Sequence, residues 1–342
     1  MDCVASARCE SAAVTGNEAL AGIERVGNQP FDVSIVVVSY NTASLLRQCL
    51  RSVRADRGPS REVYVVDNAS ADGSPQMVAE EFPEVVLLAN RENVGFTRAN
   101  NQALARISGR HACLLNSDAE LRPGALAAMV SYLDEHPGVA VVGPRLVYPD
   151  GTPQSSRRRF PTVATALVES TVLQRWCPRA GVLRRYYVQD VPDDRAQEVD
   201  WVTGACLMVR REAITDVGLL DERFFMYSEE LDWCRRMKTA GWRVAYTPEA
   251  VVVHHESRSA DQNLARRNIL FHDSKCRYFA KHHGPVWGAL LRLFIFLTFV
   301  YQYLEEGLKY VLGHRRPLRR RRLAMLREVL GWQARRLVRM RT

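Results

Sequence analysis

VSIVVVSYN, residues 33–41, places five β-branched aliphatic residues in its first six positions and closes on Tyr40 and Asn41. A short, unbroken apolar run bounded by polar residues reads as a strand covered on both faces. TASLLRQCLRSV (42–53) follows at helical spacing. Leu45, Leu46, Cys49, Leu50 and Val53 form one stripe, and Thr42 stands at the cap position. The alternation then repeats. EVYVVDNAS (62–70), EVVLLANREN (84–93), HACLLNSDAEL (111–121) and VAVVGPRLVY (139–148) read as strands. Between them SPQMVAEEF (74–82), FTRANNQALARI (96–107) and PGALAAMVSYLDEH (123–136), the last opened by Pro123, read as helices. Repeated strand–helix units predict an α/β fold, a mostly parallel sheet with helices on both faces. YPDGT (148–152) is a turn, beyond which the pattern becomes less regular.

In such sheets ligands bind beyond the carboxyl ends of the strands. Three predicted strands deliver polar groups there: Tyr40-Asn41, Asp67-Asn68 and Asn116-Ser117-Asp118. Any one could be a simple turn, but three in succession point to a site. No GxGxxG or GxxxxGK[ST] follows a strand, which argues against a dinucleotide fold or a P-loop. A diphosphate bound without a glycine cradle needs another counter-charge. Mg²⁺ or Mn²⁺ held by the hard oxygens of Asp118 would supply it.

The net charge of +9 is unevenly placed. From Lys309 to Thr342 twelve Lys or Arg stand against one acid, Glu328, for a local charge of +11. Residues 1–308 therefore carry −2. A basic tail on a near-neutral body suits an anionic surface. The eight cysteines include no CxxC pair and read as buried, reduced thiols of a cytosolic protein. Residues 1–30 contain acids throughout and no apolar core, so they read as a disordered lead-in rather than a secretory signal.

Seven segments together resemble the inverting glycosyltransferases of family 2, which have the GT-A fold. They are SIVVVSYN, VYVVDNASADGS, NVGFTRANNQAL, LLNSDAEL, WVTGACLMVRREA, FFMYSEELDWCRRMKTAGW and EAVVVHHESRS, in the family's order from 34 to about 260. The nearest subgroup is the rhamnosyltransferase-like enzymes of bacterial cell-surface polysaccharide synthesis. The resemblance implies a Rossmann-like domain over 31–284, with a nucleotide-sugar half (31–120) and an acceptor half (121–284). It assigns Tyr40, Asn41 and Asp67 to the nucleotide of a dTDP- or UDP-sugar, Asp67 meeting the pyrimidine ring. Asn93, Gly95, Arg98, Asn101, Asn116 and Gly204 would complete the nucleotide-sugar site. Asp118 ends the family's metal-binding Asp-x-Asp segment, with Asn116 in place of the first acid, and His254 completes the metal or phosphate site. Glu256 and Ser257 follow it where the family usually has glycines.

SEELDWCRR (228–236) has an ordinary reading as a surface helix, with Ser228 as cap and Asp232 paired to Arg236. Glu229, Asp232 and Arg236 share a face, whereas Glu230 points about 100° away from Glu229. The resemblance makes Glu230 the catalytic base, where the family usually has Asp. Glu229 and Asp232 join the catalytic segment as orienting and structural groups.

VWGALLRLFIFLTFVYQYL (286–304) is apolar apart from Arg292, Thr298 and Gln302. An in-plane interfacial helix followed by an arginine-rich helix (together 285–342) fits an anionic membrane surface. One crossing would export the +11 tail, against the positive-inside preference; a helix buried in a homodimer is the third reading. In the first case the protein is peripheral on the cytoplasmic face of the bacterial plasma membrane. Removing 285–342 should then leave a soluble domain.

The function implied is sugar transfer to a lipid-linked or saccharide acceptor. A nucleotidyltransferase would want a glycine- and basic-rich motif after the first strand, which SYNTASLL (39–46) lacks. A non-catalytic lipid-binding scaffold would not need Asp67, Asp118 and Glu230. Nucleic acid is not an expected partner, since HRRPLRRRRLAM (314–325) has no interleaved aromatics.

Overall fold

The structure, a computed structural model, describes residues 31–178, 180–255 and 264–339. The expected lead-in, Glu256 and Ser257 lie outside them. The chain runs β1 (Val33–Ser39), α1 (Ala43–Ala55), β2 (Arg61–Asp67), α2 (Ser74–Glu81), β3 (Val86–Ala89), α3 (Phe96–Leu104), β4 (His111–Asn116), β5 (Ala119–Leu121), α4 (Ala125–Glu135) and β6 (Val139–Val147). A less regular stretch holds β7 (Pro153–Gln154), β8 (Arg157–Arg158), α5 (Val163–Val168), α6 (Val172–Trp176), α7 (Gly181–Tyr186), β9 (Gln197–Val199) and β10 (Trp201–Val202). Then come β11 (Cys206–Arg210), α8 (Arg211–Val217), α9 (Glu229–Thr239), β12 (Arg243–His254), α10 (Leu264–His283), α11 (Pro285–Val311) and α12 (Arg316–Arg339).

The main sheet has the order β3-β2-β1-β4-β11-β6-β12-β5, with β7 on β6 and β9 on β12. β1 is buried along its whole length, as its composition requires, between parallel β2 and β4. Register aligns the functional edge: Ser39 faces Asp67, and Val38 faces Asn116. β11 runs antiparallel between β4 and β6, so the sheet is mixed. One apolar layer packs α1, α2 and α4 on one face through Leu46, Leu50, Met77 and Met129. The other joins α3, α8 and α9 to α10, α11 and α12 through Ala99, Ile214, Trp233, Phe279, Ile295 and Val329.

Several expectations need correction. The single strand expected over 111–121 is two. The chain turns at Asn116-Ser117-Asp118, and β5 pairs with β12 at the far edge. The sheet thus runs unbroken across position 120, and the two proposed halves share it. Thr42 does not cap α1 with its side chain; its hydroxyl instead donates to Ser117 Oγ at 3.0 Å, tying β1 to the turn after β4. Cys177 is exposed, while the other described cysteines are buried. Helix α11 packs on α10 across the expected boundary at 285. Arg292 of α11 reaches Asp273 of α10 at 2.7 Å in a buried pair. Removing 285–342 would take Arg292 from Asp273, leaving it Arg277 alone among the described residues, and uncover the layer around Phe279 and Ile269, so a well-behaved soluble remainder is not expected.

Candidate active site

A cavity of about 810 Å³ opens at the carboxyl edge of the sheet. Tyr40, Asn93, Asn116, Asp118 and His254 line it, together with Asn68 and Ser117. The remaining predicted residues stand behind or beside this wall.

Asp67 ends β2 and is 1 % exposed. Its Oδ2 accepts from the Ser70 N–H at 2.8 Å, whereas Oδ1 has no hydrogen-bond partner. A buried carboxylate oxygen without a donor is costly, so it marks a place where a donor is due. Asn41, at φ 53°, accepts from Ala71 N–H and thereby braces the loop after β2. Gly95 has φ +93°, and a Cβ there would meet the Phe225 carbonyl at 2.7 Å. Only glycine lets this loop close on the 224–228 loop, where Phe96 N–H donates to that carbonyl at 2.8 Å. Asn101 uses both amide atoms on Leu220, and so positions a loop rather than facing the cavity. Arg98 is exposed and lies 4.0 Å from Glu222.

The β5–β12 register sets Ala119 opposite His254 and brings His254 Nε2 within 3.3 Å of Asp118 Oδ1. His254 Nδ1 faces the Gln154 amide oxygen at 2.9 Å, so each ring nitrogen has an oxygen before it. The gap between Nε2 and Asp118 Oδ1 is of a size that a shared proton or a bound cation fills. A cation bound at about 2.1 Å by two donors at right angles holds them roughly 3.0 Å apart. The pair therefore fits Mg²⁺ or Mn²⁺. Among the described residues no group of three or more His, Cys, Asp or Glu could hold a metal ion, so the remaining ligands would be phosphate oxygens and water.

The acids of α9 divide into two kinds. Asp232 is fully buried and paired with Arg236 at 2.9 Å, as expected, and also with Lys281 at 2.6 Å and His282 at 2.7 Å. It locks α9 to α10 and does not face the cavity; its place is structural. Burial alone would raise its carboxyl, but the bonds from His282 and Lys281 and the charge of Arg236 outweigh it and leave the group lowered. Ser228 is not a side-chain cap. It and Tyr227 both hold left-handed backbone, φ 64° and 69°, strain of the kind found where chemistry requires an orientation.

Burial pushes Glu229 and Glu230 above the usual carboxylate range, and the charge of Glu230 raises Glu229 further. Glu229 is 4 % exposed, whereas Glu230 is half-buried. Glu230 Oε1 accepts from Gly204 N–H at 3.4 Å, and Oε2 has no hydrogen-bond partner. Gly204 thus holds the acid and is not among the residues lining the cavity. Asn116 N–H donates to the Ala205 carbonyl at 2.9 Å, so a short backbone path links Glu230, through Gly204, to the strand end that leads to Asp118, although Glu230 is not among the residues lining the cavity.

Sequence reading missed part of the wall: Ser170, Phe225, Met226, Tyr227, and from α10 Arg266, Arg267 and His272. The adjacent arginines in LARRN (264–268), far from the basic tail, were the available signal. Burial drives the His272 imidazole down to about 3, so it is neutral at physiological pH.

Residues 34–218 match the family model described as Glycosyl transferase family 2. The chain is 30% identical over 269 residues to the N-acetylglucosaminyl-diphospho-decaprenol L-rhamnosyltransferase of Mycobacterium tuberculosis, covering 75% of this chain and 87% of that one. It is also 30% identical over 234 residues to an O-antigen biosynthesis protein of Myxococcus xanthus, covering 66% of this chain but 17% of that larger protein. Among solved structures, the mannosyltransferase of Pyrobaculum calidifontis in complex with GDP-Man and Mn²⁺ superposes with a TM-score of 0.53 at 18% identity, covering 94% of this chain and 92% of that one. That likeness speaks for the fold. The family match runs from β1 through α8, and the mycobacterial relative aligns over most of both chains. The chain belongs to glycosyl transferase family 2 and is a glycosyltransferase of the GT-A fold.

Proposed function

We propose that the protein is an inverting transferase that moves rhamnose, or a similar hexose, from a dTDP- or UDP-sugar to a lipid-linked or saccharide acceptor in cell-surface polysaccharide synthesis. The observation that carries the reading is the Asp118–His254 pair in the cavity wall, with Glu230 held at Gly204 next to the Asn116–Ala205 backbone bond. The similarity to a transferase named for a diphospho-decaprenol acceptor supports the acceptor class.

Asp67 Oδ1 would accept the ring N–H of the pyrimidine, filling its missing hydrogen bond. Asp118 and His254 would hold Mg²⁺ or Mn²⁺, which would neutralise charge on the departing diphosphate. An acceptor hydroxyl attacks the anomeric carbon as the bond from that carbon to the phosphate oxygen breaks. Glu230 takes the hydroxyl proton, and the nucleoside diphosphate leaves with the bonding electrons. A single displacement inverts the anomeric centre. Glu229, deeper and raised further by the charge of Glu230, is the acid of the two that ionises less readily. The basic C-terminal helices would hold the enzyme peripherally on the cytoplasmic face of the bacterial plasma membrane.

The test is release of nucleoside diphosphate from a panel of nucleotide sugars, with a polyprenyl-diphosphate-linked N-acetylglucosamine acceptor and with or without EDTA. Turnover of dTDP-rhamnose that EDTA abolishes is expected. Turnover that survives EDTA would remove the metal. No turnover of any dTDP- or UDP-sugar would remove the donor assignment.

A further inference from the structure

Helix α11 has its polarity reversed. Leu290, Leu293, Leu297, Tyr301, Leu304 and Leu308 recur at three- and four-residue steps and are 41–65% exposed. At about 1.5 Å per residue this apolar stripe runs for roughly 27 Å. Two of the helix's charges are buried instead, Arg292 against Asp273 and Glu306 against Arg319, while Glu305 and Lys309 pair with each other near its end, where Glu305 also meets Arg175. A helix facing water would carry its charges outward, so this face is built for an apolar phase.

A second element extends the face. Trp176 at the end of α6 is 56% exposed and meets Tyr301 edge-on at 5.5 Å. Arg175 fixes it there through Glu305 at 2.7 Å. Arg315, Arg316, Arg320 and Arg321, at the turn into α12 and its start, are exposed cations. An exposed apolar stripe, aromatic side chains beside it and cations next in the chain complement an anionic bilayer surface. A second copy fits less well, since it would bring two strongly basic tails together.

We propose that the outer face of α11 and Trp176 of α6 form one docking surface for an anionic lipid bilayer, with α11 lying in the membrane plane. This deepens the peripheral location proposed above and rests on it. Helix α11 is long and apolar enough to cross a membrane. A crossing would have to pull the inward-facing Arg292 and Glu306 away from Asp273 and Arg319. The surface also lies close to the chemistry. His272 of α10 borders the cavity and meets Phe299 of α11 edge-on at 5.2 Å, so one helix separates cavity from bilayer. Ser170, two residues before α6, lines the same cavity.

The experiment is cosedimentation of the full-length protein with vesicles of phosphatidylcholine alone or with phosphatidylglycerol. Binding that needs phosphatidylglycerol and weakens with salt is expected. Leu297→Glu with Leu304→Glu should lower partitioning by at least tenfold, and Trp176→Ala by several-fold. Thermal melts and dTDP binding should stay at parent values, because these side chains are exposed. Arg320→Glu with Arg321→Glu tests the same surface through charge and should remove the lipid selectivity. Parent-like vesicle binding by all these variants would overturn the proposal. So would a dimer that the leucine variants dissociate with vesicle binding unchanged, or recovery from cells only with detergent after alkaline washing. Vesicle binding as expected without sugar transfer would remove the assigned reaction and leave this surface standing.

Discussion

Replacing Glu230 by Gln separates chemistry from architecture. The Gln carbonyl can keep the 3.4 Å bond from Gly204 N–H, so the side chain holds its place. The change falls on the other terminal atom: Oε2, with no partner in the chain, becomes an amide that donates and cannot accept a proton. General-base catalysis contributes about 10²–10⁴ in rate, or roughly 3–5 kcal/mol of barrier, and kcat should fall by that factor. Nucleotide-sugar affinity should stay near the parent value. Stability should hold or rise at alkaline pH. Glu230 titrates above 4.5 in the folded state, so between 4.5 and its raised value the folded chain holds a proton that the unfolded chain releases. Stability therefore declines with rising pH across that window, and Glu230→Gln removes this part of the decline. In the parent, activity should fall as pH drops through the same raised value, because the base must be ionised. The assays are steady-state release of nucleoside diphosphate, calorimetric binding of the nucleotide, and thermal melts at pH 5 and 8. Activity within a few-fold of the parent would refute the base. Lost activity with a melting point lower by many degrees at both pH values would make Glu230 structural.

Asp232→Asn should act through stability: it takes the shared carboxylate from Arg236, Lys281 and His282, of which Lys281 keeps Asp221, and costs about 3 kcal/mol, read as a lower melting temperature. In the parent this contribution is full above 3.8 and is lost as pH falls through the lowered value of Asp232, so the gap between parent and variant should close in acid. Asp67→Ala should weaken dTDP and UDP binding by roughly 10- to 100-fold, the worth of a hydrogen bond to a charged group; unchanged calorimetric binding would take Asp67 out of the site. Gly95→Ala forces a Cβ to 2.7 Å from the Phe225 carbonyl at φ +93°, so the loops should separate at a cost on the order of 1–3 kcal/mol. A parent-like melt and parent-like dTDP binding would contradict that packing.

The sequence alone determined the parallel-sheet core and the edge at which its polar residues gather. Apolar runs such as 33–38 can only be buried, and the short strand–helix units from β1 to β4 return each strand parallel to β1, so local pattern and topology agree there. It also distinguished Glu230 from Asp232, since helical geometry puts them on different faces. Contacts between residues far apart in the chain were settled by tertiary structure. Asp118 and His254 stand 136 positions apart, and the β5–β12 register joins them after a turn that no periodicity announces. Asp232 resembled an ordinary i,i+4 partner of Arg236 until Lys281 and His282 of α10 closed on it. Arg266 and Arg267 lie on a helix whose local pattern says nothing of a cavity; folding places it beside strands formed nearly 200 residues earlier. Helix α11 shows the same division. Its apolar character is written in composition, but Arg292 and Glu306 turn inward only because Asp273 and Arg319 are brought within reach by packing. Short-range pattern fixes what a segment can bury, whereas the partner it buries against depends on the whole chain's closure.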